Sequence, residues 1–130
     1  MEECKKLIEL AKINRQKDIK RGTPKYLDNN WLLEAIKKEV DEVKKEIKEA
    51  NLPKLEDELC DILWGWMMLV EGLHSQNLVR SHEAILNRAV KKYSERILPL
   101  LGKKDEDEKI WESIKKRQLK ELEKEQSKLK

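Results

Sequence analysis

Apolar residues recur along this chain at three- and four-residue spacing in nearly every segment, and no stretch shows the strict alternation of a half-buried strand. The pattern predicts an all-α fold of four to five helices. A first helix is expected over residues 2–20, with Leu7, Ile8, Ala11 and Ile13 as a short apolar stripe, before "RGTPKY" breaks it with Gly22 and Pro24. Asn29 or Asn30 can cap a second helix running to about Ala50. "ANLPK" then turns the chain, because Pro53 lacks a backbone donor and biases Leu52 away from helix. A third helix reaches about Ser75, a polar "HSQN" link follows, and a fourth runs from about Ser81 to Leu98, where Pro99 and Gly102 close it. "KKDEDE" starts a fifth, which carries Ile110, Trp111 and Ile114 on one side, then loses its stripe and is expected to fray.

At about 100° per residue, Leu33, Ile36, Val40, Val43 and Ile47 form the apolar stripe of the second helix. Lys37, Lys38, Lys44, Lys45 and Lys48 fall on one side of it, and Glu39, Glu42 and Glu46 on the other. A merely solvated helix interleaves Glu and Lys for i, i+4 pairing, so like charges gathered beside an apolar face call for a compensating cation. The third helix contains the most apolar stretch, "LEDELCDILWGWMMLV" (Leu55–Val70), in which Leu55, Leu59, Ile62, Leu63, Trp66, Leu69 and Val70, with Leu73 beyond it, share a wide face. Glu58 and Asp61 lie on the edge of that face, together with Gly65 and Gly72. Flanked by Cys60, Ile62, Leu63 and Trp64, the Asp61 carboxylate is expected to be partly desolvated and to need a lysine, a proton or a metal. The turn makes the two helices an antiparallel hairpin, which brings Glu39 and Glu42 near the level of Glu58 and Asp61.

Hard divalent cations suit an all-oxygen cluster of this kind, Mg²⁺ above all because it retains waters and recruits phosphate oxygens beside a few carboxylates. A di-iron bundle, the competing use of helical carboxylates, wants Glu-x-x-His on two helices. Only "EGLH" (Glu71, His74) fits, since Val79 stands three residues before His82; both histidines read better as satisfied or exposed. The length of 130 residues suits one domain, and although 42% of residues are charged, the formal net charge is only +3, unlike a dedicated nucleic-acid binder. Cys4 and Cys60 allow neither a disulfide framework nor a CxxC site, which points to a reducing, cytosolic setting. The longest apolar run is too short to span a bilayer and contains Asp61, so no membrane role is expected.

The paired motif "EVDE" (Glu39–Glu42) and "ELCD" (Glu58–Asp61), on two helices around a short turn, resembles the ExxE…ExxD signature of the MazG-like all-α nucleoside triphosphate pyrophosphohydrolases. Downstream, "NRAVKKYSER" (Asn87–Arg96) is similar to the Asn/Lys/Arg segment of many members, and "WESIK" (Trp111–Lys115) to their WExxK segment. Together these cover about residues 30–116 of a single domain. The resemblance implies hydrolysis of a nucleoside or deoxynucleoside triphosphate between the α and β phosphates, giving the monophosphate and pyrophosphate, with Mg²⁺ as cofactor and Mn²⁺ as an alternative ion. It implies Glu39, Glu42, Glu58 and Asp61 as metal ligands, Lys91 or Lys92 with Arg96 on phosphate oxygens, Asn87 as a further substrate contact, and a homodimer or homotetramer. Some relatives carry an aromatic four residues after the ExxD aspartate. Here that position is Gly65, leaving space for Trp31, Trp64 or Trp66 to fill. A related enzyme acting on another pyrophosphate bond, such as that of phosphoribosyl-ATP, and a non-enzymatic helical interaction module are the alternatives.

Overall fold

The computed structural model describes residues 2–129, and they form five α-helices and no strand. These are α1 (Glu2–Arg21), α2 (Asn29–Glu46), α3 (Leu52–Ser75), α4 (His82–Ile97) and α5 (Lys104–Ser127), with a 3₁₀ turn at Pro24–Leu27 between the first two. The expected all-α class is observed. No helix among the described residues is long and apolar enough to cross a membrane.

The cap of α2 differs from the expectation. Asp28, not Asn29 or Asn30, accepts the Trp31 amide on its side chain at 2.9 Å. Asn29 instead exchanges two hydrogen bonds with Gln76 at the far end of α3, at 3.1 and 2.9 Å. The other end of α2 also differs, for the helix stops at Glu46 rather than near Ala50. Ile47 is extended there, Ala50 adopts a positive φ of 54°, and the Asn51 side-chain amide donates to the Glu46 carbonyl and carboxylate, each at 2.7 Å. A carbonyl left over at the helix end is thereby satisfied by a side chain. Leu52 opens α3 as a helical residue, with Pro53 in the first turn, where its missing N–H has no partner to lose.

The chain forms two compact units, Met1–His82 and Glu83–Lys130. In the first, Ile8 and Ala11 of α1, Leu32 of α2, and Met67 and Met68 of α3 form the core, with Leu7, Trp64, Trp66 and Leu69 packed against it. The inward face of α1 follows Ile8, Ala11, Arg15 and Asp18, while Ile13 of the expected stripe is exposed. That face keeps helical period but carries two charged residues, so hydropathy alone misplaces it. On α2, Leu32 rather than Leu33 is buried, and Leu33, Val40 and Ile47 are exposed. His82 is fully enclosed: its Nε2 donates to the Met67 carbonyl at 2.9 Å, and its ring meets the Trp66 edge at 6.1 Å. His74 donates from Nδ1 to the Val79 carbonyl at 3.4 Å.

Polar contacts run between α4 and α5 in the second unit. Arg96 donates from Nε to Gln118 at 2.7 Å, and Gln118 donates onward to the Lys92 carbonyl and the Glu95 carboxylate, at 3.1 and 3.0 Å. Arg88 pairs with Glu125 at 3.1 Å, and the Asp107 carboxylate accepts the amides of Leu101 and Gly102 just before α5, at 2.7 and 2.9 Å. Ile110, Trp111 and Ile114 are half-buried, and α5 stays helical to Ser127.

Candidate active site

Glu39 projects from α2, and Glu58 and Asp61 from α3. One carboxylate oxygen from each lies within 4.8 Å of the others. Two local features bring them together. The three-residue spacing of Glu58 and Asp61 puts both on one face of α3. Gly65 then lets α2 pack closely one turn further on, since a Cβ added there would stand 2.8 Å from Ile36 Cγ1. Position 65 thus has no room for the aromatic that some relatives carry, and Ile36 occupies the space.

Burial and neighbouring carboxylates raise the pKa values of Glu39 and Glu58 in this group. Partial burial, then the charges of Asp61 and Glu42, push the Glu39 carboxyl above its ordinary range. Glu58 moves the same way, through desolvation first and then Asp61, Glu39, Glu42 and Asp57. Glu42 contributes its field but stands outside the three-carboxylate group, and it pairs with Lys45 at 3.2 Å. Of the four carboxylates expected to converge, three therefore do so. The donor set is all oxygen, hard and negatively charged, which fits a divalent cation of the Mg²⁺ or Mn²⁺ kind; the cluster contains no histidine that would favour di-iron.

Glu39 and Asp61 also line a cavity of about 420 Å³ within the first unit, whose walls include Tyr26, Trp31 and Trp64. Tyr26 and Trp31 meet edge to face at 4.9 Å, and the Lys25 ammonium lies 5.0 Å from the Tyr26 ring centre. Trp66 is absent from this lining because it packs on His82. Sequence reading missed Asn14, Asp18 and Arg21, which α1 contributes to the same cavity. Their signal was present in the repeat of Ala11, Asn14, Arg15 and Asp18 at helical spacing, which continues the inward face in polar residues.

The remaining expected substrate contacts lie in the second unit. Asn87, Lys91, Lys92 and Arg96 line a groove of about 720 Å³ between α4 and α5. The Arg96 guanidinium is already held there by Gln118 and lies 5.2 Å from the Trp111 ring centre, while the Lys92 ammonium lies 5.4 Å from that of Tyr93. Glu95 beside them is pulled below its ordinary range, chiefly by the Gln118 hydrogen bond and then by the charges of Arg117 and Lys91.

No curated protein and no solved structure matches the chain. The family model described as the MazG nucleotide pyrophosphohydrolase domain matches residues 28–98, more than half of the 130 residues. The match spans α2, α3 and α4, including all three clustered carboxylates. The chain belongs to the MazG nucleotide pyrophosphohydrolase domain family.

Proposed function

We propose that the protein hydrolyses nucleoside or deoxynucleoside triphosphates between the α and β phosphates, releasing the monophosphate and pyrophosphate. The observation that carries this reading is the sharing of Glu39 and Asp61 between the carboxylate cluster and an aromatic-walled cavity, so that phosphate chemistry and a base-sized space adjoin. Glu39, Glu58 and Asp61 would hold Mg²⁺, or Mn²⁺ in its place, and Glu42, now paired with Lys45, would be the fourth ligand. An ion held there would supply neutralisation of charge on the phosphate oxygens and a more acidic water for hydrolysis. Trp31 and Trp64 exclude water from the base and offer ring faces to it. Lys91, Lys92 and Arg96 bind phosphate oxygens, and Asn87 contributes an amide to the same substrate.

Residues 30–116 act as the core of one functional domain. The protein works as a homodimer or homotetramer, a reading supported by the exposure of Leu33, Val40 and Ile47 on α2 and of Leu59 and Leu63 on α3, which a second copy would cover. Its setting is the reducing cytosol, consistent with the free thiols Cys4 and Cys60. The test is product analysis on a panel of NTPs and dNTPs with Mg²⁺ and with EDTA. Metal-dependent appearance of equimolar monophosphate and pyrophosphate is expected. Orthophosphate release, or no release from any nucleotide, overturns the reading; turnover of phosphoribosyl-ATP alone assigns the related activity instead.

A further inference from the structure

The α1 helix lies outside the family match, yet it supplies Asn14, Asp18 and Arg21 to the cavity beside the carboxylate cluster. Asp18 is only 3% exposed, and one of its oxygens accepts from Arg21, which also lines the cavity. Asn14 sits one turn earlier on the same face, and its amide makes only a weak 3.6 Å donation to Met68 Sδ. A buried carboxylate is costly unless hydrogen-bonded, and the single Arg21 contact leaves acceptor capacity on Asp18 in a cavity walled by Trp31 and Trp64. The Asn14 bond to sulfur is readily exchanged for one to a nitrogen or oxygen.

We infer that Asn14 and Asp18 read the edge of a base held beside Trp31 and Trp64, and that they select bases bearing an exocyclic amino group over their oxo counterparts. This inference rests on the proposed nucleotide reading of the same site. An ionised carboxylate only accepts hydrogen bonds, so it takes the N4 amino group of cytosine or the N6 amino group of adenine. Against uracil O4 or hypoxanthine O6 it sets acceptor against acceptor, in a place sheltered from water. Asn14 carries both a donor and an acceptor, so its amide can turn to meet the neighbouring ring nitrogen, which accepts in cytosine and adenine. Recognition of this kind rejects the wrong partner by leaving a buried polar group unpaired, which discriminates more strongly than the fit of an apolar wall.

The experiment compares kcat/KM for CTP against UTP and for ATP against ITP, in the parent chain, in Asp18→Asn and in Asn14→Ala. The amino member of each pair is expected to be favoured by roughly 10- to 100-fold, the range of a hydrogen bond to a charged group. Asp18→Asn is expected to erase or reverse that ratio, because an amide can turn a donor toward the oxo group. Asn14→Ala reduces it and keeps the test available should Asp18→Asn fail to fold. Equal rates within each pair in the parent, or an unchanged ratio in both variants, overturn the inference while leaving the pyrophosphohydrolase reading intact. If no nucleotide is hydrolysed, that reading falls, and tryptophan fluorescence titrated with CMP and UMP decides base selection by itself. Tighter CMP binding supports the α1 reading, and equal affinity overturns it.

Discussion

Leu59 and Leu63, in the upstream half of α3, are 49% and 48% exposed, whereas Met67, one turn beyond Leu63, is 1% exposed. The two halves are similarly apolar in sequence, but they occupy different surroundings. Downstream of Trp64, α3 packs against both α1 and α2 and supplies Met67, Met68, Val70 and Gly72 to the interior. Upstream, it presents Glu58 and Asp61 toward Glu39 and leaves its leucines open. Hydrophobicity thus marks where a helix can be covered, and neighbouring helices decide where it is.

Asp61→Ala strikes the upstream half. It is expected to abolish metal-dependent turnover while the metal-free protein melts within a few degrees of the parent; full activity in this variant sinks the site assignment. Met67→Ala strikes the downstream half and is expected to cost about 2–5 kcal/mol, as buried Met truncations do. Denaturant unfolding measures that loss, and the fraction still folded should turn over at the parent rate. Gly65→Ala lies at the boundary and should disturb both halves. The gain in helix propensity, about 1 kcal/mol, is outweighed by the 2.8 Å approach to Ile36 Cγ1, for a net loss of about 1–2 kcal/mol together with weaker metal binding. Undiminished stability and affinity in that variant would show that α2 can move aside freely.

The smallest effect is electrostatic. Glu39 and Glu58 are raised above the ordinary value of 4.5, so the folded chain holds their protons more tightly than the unfolded chain does. Their contribution to stability is complete below about 4.5 and is lost as pH rises through their folded values. A Glu39→Gln/Glu58→Gln double variant is therefore expected to gain stability relative to the metal-free parent across that window, read as the difference between two melting curves at each pH. A difference that stays constant with pH removes the electrostatic account of the cluster.

The convergence of Glu39, Glu58 and Asp61 was legible because it depends on two strong regularities, the i, i+3 face of a helix and the antiparallel return forced at "ANLPK". Glu42 has the same spacing from Glu39 but stays with Lys45, a local i, i+3 pair that competes for its carboxylate. The role of α1 was hidden for a different reason. Its inward face ends in Arg15 and Asp18, and Ile13 draws the apolar stripe toward solvent, so a reading by hydropathy turns the helix the wrong way. Asp28 was missed as a cap because Asn29 and Asn30 follow it with side chains of equal capping ability, and tertiary pairing with Gln76 removes Asn29 from the contest.

That pairing fixes a length. Asn29 and Gln76 tie the start of α2 to the end of α3. Asn51 closes the opposite end of the hairpin onto Glu46. Slippage of one helix past the other by a single turn would shift it by about 5.4 Å, more than the 4.8 Å that contains the three carboxylate oxygens. The two amide clasps act as the jaws of a caliper, and the spacing of the three carboxylates is set by residues outside the cluster.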